Sequence, residues 1–195
     1  MSLFAPKPEK LKEKGDLDGL IKLLDSKKPE VRREVVAILR EWGKPECLAG
    51  LLKAAKDEDW RVRVFAIQGL SRLKDPAIEE ALRSASEDSD WEVKKEALST
   101  LVKSGRTLAP MLIAIRFNSA ELRELAAVRL ADFNETEAIQ ALISALKDEE
   151  ELVRLRAVNS LAKIKAPESM QALQEATQDK DPQVRKAATA ALDAM

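Results

Sequence analysis

Apolar residues along this chain fall in blocks of three, four residues apart, and the blocks recur about every 31 residues. Val31, Val35 and Leu39 form the first block, then Val62, Ala66 and Leu70, then Val93, Ala97 and Leu101. Leu122, Ala126 and Leu130 follow, then Val153, Ala157 and Leu161, and finally Val184, Ala188 and Leu192. Spacing of i, i+4 and i+8 places all three members on one face of a helix. Between the blocks, Leu20, Leu51, Leu82, Met111, Leu142 and Leu173 mark a second helix in each period. A helix pair with one apolar stripe per helix cannot bury those stripes alone, whereas stacked neighbours can.

The pattern therefore predicts an all-α protein, a right-handed α-solenoid of about six helix pairs forming an α-α superhelix. Repeats are expected at 15–43, 44–74, 75–105, 106–134, 135–165 and 166–195, as a single solenoid over 15–195. Residues 1–14 stand outside the repeat and are read as an N-terminal cap, with Leu3, Phe4 and Leu11 closing the first core face. Just before each first-helix centre stands Gly19, Gly50, Ala81, Pro110, Ala141 or Ala172, so in five units a small side chain lets neighbouring helices approach. Pro45, Pro76 and Pro167 suit the first helical position, where the missing N–H is not needed. Asp59, Ser119 and Asp181 are placed to cap second helices, and Gly43 and Gly105 to end them.

The composition agrees: with no tyrosine, 4% aromatic residues and no strand-like alternation, nothing competes with helix. No apolar run is long enough to span a bilayer. The first residues are too short and insufficiently basic for a secretory signal, and one cysteine cannot staple a secreted scaffold, so a cytoplasmic protein is expected. Net charge is −1 and evenly spread: residues 1–105 carry 21 Lys and Arg against 20 Asp and Glu, and residues 106–195 carry 12 against 14. No such balance draws a chain to nucleic acid or to an anionic membrane.

The unit Asp-x-x-x-x-Val-Arg-x-x-Ala-x-x-x-Leu, present as Asp57 to Leu70 and Asp179 to Leu192 and matched by Asp148 to Leu161, resembles the HEAT repeat superfamily. It is most similar to the short HEAT-like repeats of the phycobilisome-lyase type. The resemblance covers about nine tenths of the chain and implies, for most members, a protein-binding scaffold. It also implies a ladder of Asp57, Asp88, Asp148 and Asp179 with Arg32, Arg63, Arg123, Arg154 and Arg185. Lys94, Ser26 and Phe117 depart from that ladder, and a lysine cannot reproduce the two-pronged guanidinium contact.

Catalytic chemistry finds little support. Absence of histidine removes histidine metal sites, histidine bases and histidine-activated nucleophiles together. It also removes the deoxyhypusine hydroxylase branch of the superfamily, which needs His-Glu ligands for iron. Cys47 aligns with Ala77, Ala138 and Ser169 and reads as a small core side chain. Acidic clusters at Asp57-Glu58-Asp59, Glu87 to Asp90 and Asp148 to Glu151 recur at one turn of the repeat, where acids cap the following helix, and they lack the glycine-bearing geometry of a calcium loop. The glycines are isolated, so no phosphate loop is present. No enzyme activity, metal or cofactor is expected.

Units differ most on the second-helix face opposite the apolar stripe. In the second unit this face carries Arg61, Val64, Gln68 and Ser71, and elsewhere it includes Arg33, Arg40, Lys95, Val102, Val128, Leu152 and Leu155. A solenoid would join these into a concave groove. Trp60 and Trp91, one repeat apart at the start of their helices, read as anchors on one rim. Partner-binding residues are thus expected to be Trp60, Arg61, Val64, Gln68, Trp91, Lys95, Val128, Leu152 and Leu155, and the partner a protein or peptide. A nucleic-acid-binding HEAT-like protein is the alternative, because Arg33, Arg40, Arg61, Arg72, Lys95 and Lys103 make a partial basic stripe, though Glu30, Glu41 and Glu92 interrupt it. A bilin lyase-type subunit comes third, on the shared repeat alone, and no membrane partner is expected.

Two irregularities carry expectations of their own. Leu101 to Met111 spans ten residues where other junctions span twelve, so the first helix of the fourth unit should start about a turn late, near Pro110. The sixth unit presents Ala187, Ala188, Ala190, Ala191 and Ala194, so either weak self-association there or continuation beyond Met195 is expected.

Overall fold

The computed structural model describes residues 7–195. Leu3 and Phe4 lie outside the described residues. Among those described, every regular element is helical. The first compact unit runs to Thr100 and the second from Leu101.

In the first unit α1 (Pro8–Lys14) and α2 (Leu17–Leu23) precede α3 (Pro29–Trp42). A 3-10 turn at Pro45–Cys47 leads into α4 (Leu48–Ala54), followed by α5 (Trp60–Leu70) and α6 (Pro76–Ala85). The next helix, α7 (Trp91–Ser104), starts in the first unit and ends in the second. Second helices α3 and α5 stack directly, with α4 packed against both. α1 lies on α2 and α3, with Leu11 buried. The second unit holds α8 (Leu108–Ala114), α9 (Ala120–Leu130), α10 (Thr136–Ala145) and α11 (Glu151–Ile164). It continues through a 3-10 turn at Pro167–Ser169 to α12 (Met170–Ala176) and α13 (Pro182–Asp193). There α9, α11 and α13 stack in order, and the first helices pack alongside. This is the architecture of an α-solenoid of helix-pair repeats.

The core follows the sequence stripe. Of the eighteen second-helix positions named above, all but Val31 and Leu192 are buried. All six first-helix centres, Leu20 to Leu173, are buried too. At Gly50 a side chain would bring a Cβ to 2.8 Å from Leu39 and 3.2 Å from Ile21, which is the close helix approach that the small residue permits. Gly19 is small for a different reason: its Cβ would strike the Asp16 carboxylate that caps α2, at 2.6 Å.

Most boundaries have their expected causes. Pro76 opens α6, while Pro45 and Pro167 open 3-10 turns that lead into α4 and α12. Gly43 and Gly105 take left-handed φ of 56° and 66° at helix ends, as does Lys165 with φ 57°. Asp59 and Asp181 cap α5 and α13. Ser119 does not cap α9: its hydroxyl donates instead to Glu121 Oε2 at 2.9 Å, because a serine has a hydrogen to give and an acceptor stands two residues away. In the fourth unit α8 starts at Leu108, two residues ahead of Pro110. Pro110 occupies its first turn, where no intrahelical N–H is required. α8 has 7 residues, as α2, α4 and α12 do, but lacks the 3-10 turn that precedes α4 and α12, and α6 and α10 have 10 residues.

Candidate partner-binding surface

Each second helix is fixed by the turn before it, and the fixing device repeats. In four units an aspartate accepts a hydrogen bond from the amide two residues later: Asp57 from Asp59, Asp88 from Asp90, Asp148 from Glu150 and Asp179 from Asp181, at 2.8–2.9 Å. The same carboxylate takes both prongs of the arginine of the preceding unit. Arg32 grips Asp57 at 2.7 and 2.8 Å, and Arg63 grips Asp88 at 2.8 Å twice. Arg123 grips Asp148, and Arg154 grips Asp179, at 2.8 and 3.0 Å. The third nitrogen, Nη1, donates to a carbonyl of its own turn, such as Ser26, Asp57, Phe117 or Asp148.

Burial alone would push the carboxyls of Asp88 and Asp179 up. The arginine contact and the turn amide together outweigh it and hold both below the usual aspartate range. Hydrogen bonds to aspartate raise Arg32, Arg123 and Arg154 in turn. Acidic clusters are thus structural pairs and caps, and among the described residues no group of three or more ligating side chains could hold a metal. Cys47 is 1% exposed, and burial pushes its thiol up, away from the reactive thiolate.

With the core stripe buried and the rungs paired, the residues left outward on the second helices are those that vary from unit to unit. Trp60 is half-buried at the start of α5, with the Arg61 guanidinium 4.6 Å above its ring. Trp91 is 42% exposed at the start of α7, with Lys95 Nζ 5.0 Å from its ring centre. Both belong to the first unit, on helices linked by the Arg63–Asp88 rung. Val64 and Gln68 are half-buried on α5, and Gln68 accepts a hydrogen bond from Arg40, which also lies over the Phe65 ring at 4.7 Å. In the second unit Val128 on α9 and Leu152 on α11 are exposed, and Leu155 is half-buried. Arg156 on α11 ties to Glu124 on α9 at 2.9 Å across this patch.

Three residues alter the picture drawn from the helical wheel. Val102, assigned outward, is fully buried beside Leu101 near the end of α7, while Lys103 and Ser104 after it are exposed. Ile113 on α8 and Met170 on α12 are exposed apolar residues on first helices, which the attention to second helices missed. Their signal was available: each lies off the face that holds Met111 and Leu173.

The stacked helix pairs and the arginine–aspartate rungs define a helix-pair repeat protein. The chain belongs to the family of HEAT repeats, which matches residues 17–102 and 108–193. Among solved structures it is similar to YibA of Escherichia coli, with a TM-score of 0.64 at 20% identity over 98% of this chain and 76% of that one. A designed armadillo repeat protein gives 0.61 at 19% identity over 92% of this chain and 99% of that one. An engineered protein gives 0.59 at 21% identity over 92% and 96% respectively. These likenesses are of fold. No curated protein sequence matches the chain. Among the described residues no helix is long and apolar enough to cross a membrane.

Proposed function

We propose that this chain is a non-catalytic interaction scaffold that binds a protein or peptide on the outward faces of its second helices. Trp60 and Trp91, with Arg61 and Lys95 over their rings, are the anchors of the first unit. Val128, Leu152 and Leu155 are the apolar contact of the second. The observation that carries this reading is the exposure of large side chains on helices whose opposite face is already buried: Trp91 at 42%, Val128 at 44% and Leu152 at 48%. Large apolar groups held in water are costly to a protein that does not use them, and tryptophan is enriched where binding energy concentrates. Lack of histidine and the buried state of Cys47 support a non-catalytic role. One buried thiol suits a reducing compartment, so we place the scaffold in the cytoplasm.

Nucleic-acid binding is the second reading, and the contacts of the basic stripe weigh against it. Arg33 stands 3.9 Å from Asp59, Arg40 is held by Gln68 and Phe65, and Arg72 donates to the Arg40 carbonyl. Cations engaged in this way are poorly disposed to replace counterions along a phosphate backbone. Fluorescence anisotropy with labelled duplex and single-stranded DNA at low and moderate salt separates the readings. Salt-sensitive DNA binding would favour the second; no DNA binding, with capture of a protein by the wild type but not by Trp60→Ala/Trp91→Ala, supports the first.

A further inference from the structure

Most arginines of the first unit are committed within the fold: Arg32 and Arg63 to rungs, Arg83 to Glu79, and Arg40 and Arg72 to a side-chain or backbone oxygen. Arg61 and Lys95 are not. Neither side chain makes a hydrogen bond or ion pair among the described residues. Each rests on a tryptophan instead, the Arg61 guanidinium 4.6 Å from the Trp60 ring centre and Lys95 Nζ 5.0 Å from that of Trp91. A cation held over an indole keeps its full charge and its N–H donors lack an acceptor. Little nearby neutralises the pair. Helix α5 contains no acid and α7 only Glu92 and Glu96, while Asp59 and Asp90 in the turns before them accept from the first amides of those helices.

Spacing adds a second constraint. Trp60 and Trp91 stand at the same place in successive repeats, each three residues after the rung aspartate of its turn, Asp57 or Asp88. Packed helices lie roughly 8–10 Å apart. In a polyproline-II strand the side chains of one face recur every three residues, about 9 Å along the axis, whereas a β-strand turns residues three apart to opposite faces. Proline stacks well on exposed aromatic rings, and its preformed helix loses little entropy on binding.

We infer that the first unit takes an acidic polyproline-II segment of a partner protein, with prolines three residues apart on the Trp60 and Trp91 rings and the intervening Asp or Glu residues facing Arg61 and Lys95. The inference rests on the reading of the two tryptophans as anchors and names what they hold. A nucleic-acid strand would be served poorly by two uncommitted cations, since its phosphates recur at every nucleotide.

The test is calorimetric titration of the intact chain, at low salt, with a peptide of Pro-Asp-Glu repeats. Saturable binding is expected with a Kd on the order of 0.1 mM. Pro-Asn-Gln repeats of the same length should bind about tenfold more weakly or worse, with the protein left untouched. Alternating Pro-Glu, whose prolines miss the three-residue spacing, should lose about fivefold or more. In Arg61→Gln/Lys95→Gln the acidic and neutral repeats should bind alike. No binding up to about 1 mM, or equal affinity of the wild type for acidic and neutral repeats, would overturn the inference. Oligothymidylate binding as tightly as the acidic peptide would overturn the choice of a protein segment. The first two failures would leave the scaffold reading intact if a recovered partner is still lost in Trp60→Ala/Trp91→Ala; that reading fails if the double variant binds the partner as the wild type does.

Discussion

Arg154 grips Asp179 with both prongs, Nε to Oδ2 at 2.8 Å and Nη2 to Oδ1 at 3.0 Å, while its Nη1 donates to the Asp148 carbonyl at 2.9 Å. The arginine side chain is 4% exposed and the aspartate 10%. One side chain therefore ties its own turn to the next and leaves little of the pair in water. Arg154→Ala would strand a buried carboxylate and should cost about 3–5 kcal/mol in chemical denaturation. The exposed pair Lys163–Asp132, at 2.7 Å, should be worth less than about 1 kcal/mol to the same measurement. Equal effects at the two pairs would mean that burial does not set their value.

Charge also makes the α1 contact depend on pH. Glu34 on α3 is pushed up to about 7, chiefly by its hydrogen bond with Glu9 on α1 and then by burial. The same contact, led by the Glu34 hydrogen bond, holds Glu9 below its usual range. A carboxyl raised in the folded state contributes stability at low pH and loses it as pH rises through its folded value. The docking of α1 on α3 should therefore loosen as pH rises from about 5 through 7, with Lys12–Glu41 at 2.6 Å left to hold it. Amide exchange over residues 8–14, corrected for the intrinsic rate, should show this, and Glu34→Gln should remove the dependence.

Asp88 and Asp179 respond in the opposite direction. Their lowered folded pKa values mean that the rungs contribute above the ordinary aspartate range and are lost as pH falls through it. Acid unfolding of the chain should begin earlier in Arg63→Gln or Arg154→Gln than in the wild type.

Lys165 ends α11 with a left-handed φ of 57°, the position held by Gly43 and Gly105 in other units. A side chain there crowds the backbone, so Lys165→Gly should stabilise the protein by about 1 kcal/mol, less what the Lys165 Nζ bond to the Ala194 carbonyl contributes. Gly105→Ala should destabilise by a similar amount, about 1 kcal/mol, in thermal or chemical denaturation.

Residues 103–119 combine a shortened junction, the 7-residue α8 and Phe117, which with Lys94 of the preceding repeat stands where an arginine–aspartate rung is expected. Backbone amides there should exchange faster than those of α5 or α11. Uniform protection along the chain would contradict this.

Most of the fold was legible because the repeat copies its own evidence. Val62, Ala66 and Leu70 alone could belong to many helices, but their counterparts at Val153, Ala157 and Leu161 leave little freedom, and both sets are buried. The rung partners were legible as residue types, while the offset that joins Arg63 to Asp88 rather than to the Asp57 carboxylate of its own turn is a property of stacking. Ser119 misled because a hydroxyl can donate as well as accept, so residue type alone did not decide which bond it makes. Val102 misled because a helical wheel knows one helix and not what packs beside it. The cations over Trp60 and Trp91 were likewise beyond sequence, since rotamers decide whether Arg61 and Lys95 reach solvent or the indole face.

The most direct measurement of the scaffold account is the affinity of a partner, recovered with the wild-type chain, for Trp60→Ala/Trp91→Ala and for Leu152→Glu on one side and Ile113→Glu and Met170→Glu on the other. If second-helix faces bind, each tryptophan should cost about 2 kcal/mol, roughly 30-fold in Kd. Leu152→Glu should weaken binding as well, and the two first-helix changes should leave it unaltered. Unchanged affinity in the double tryptophan variant, with loss of binding in Ile113→Glu or Met170→Glu, would contradict the account.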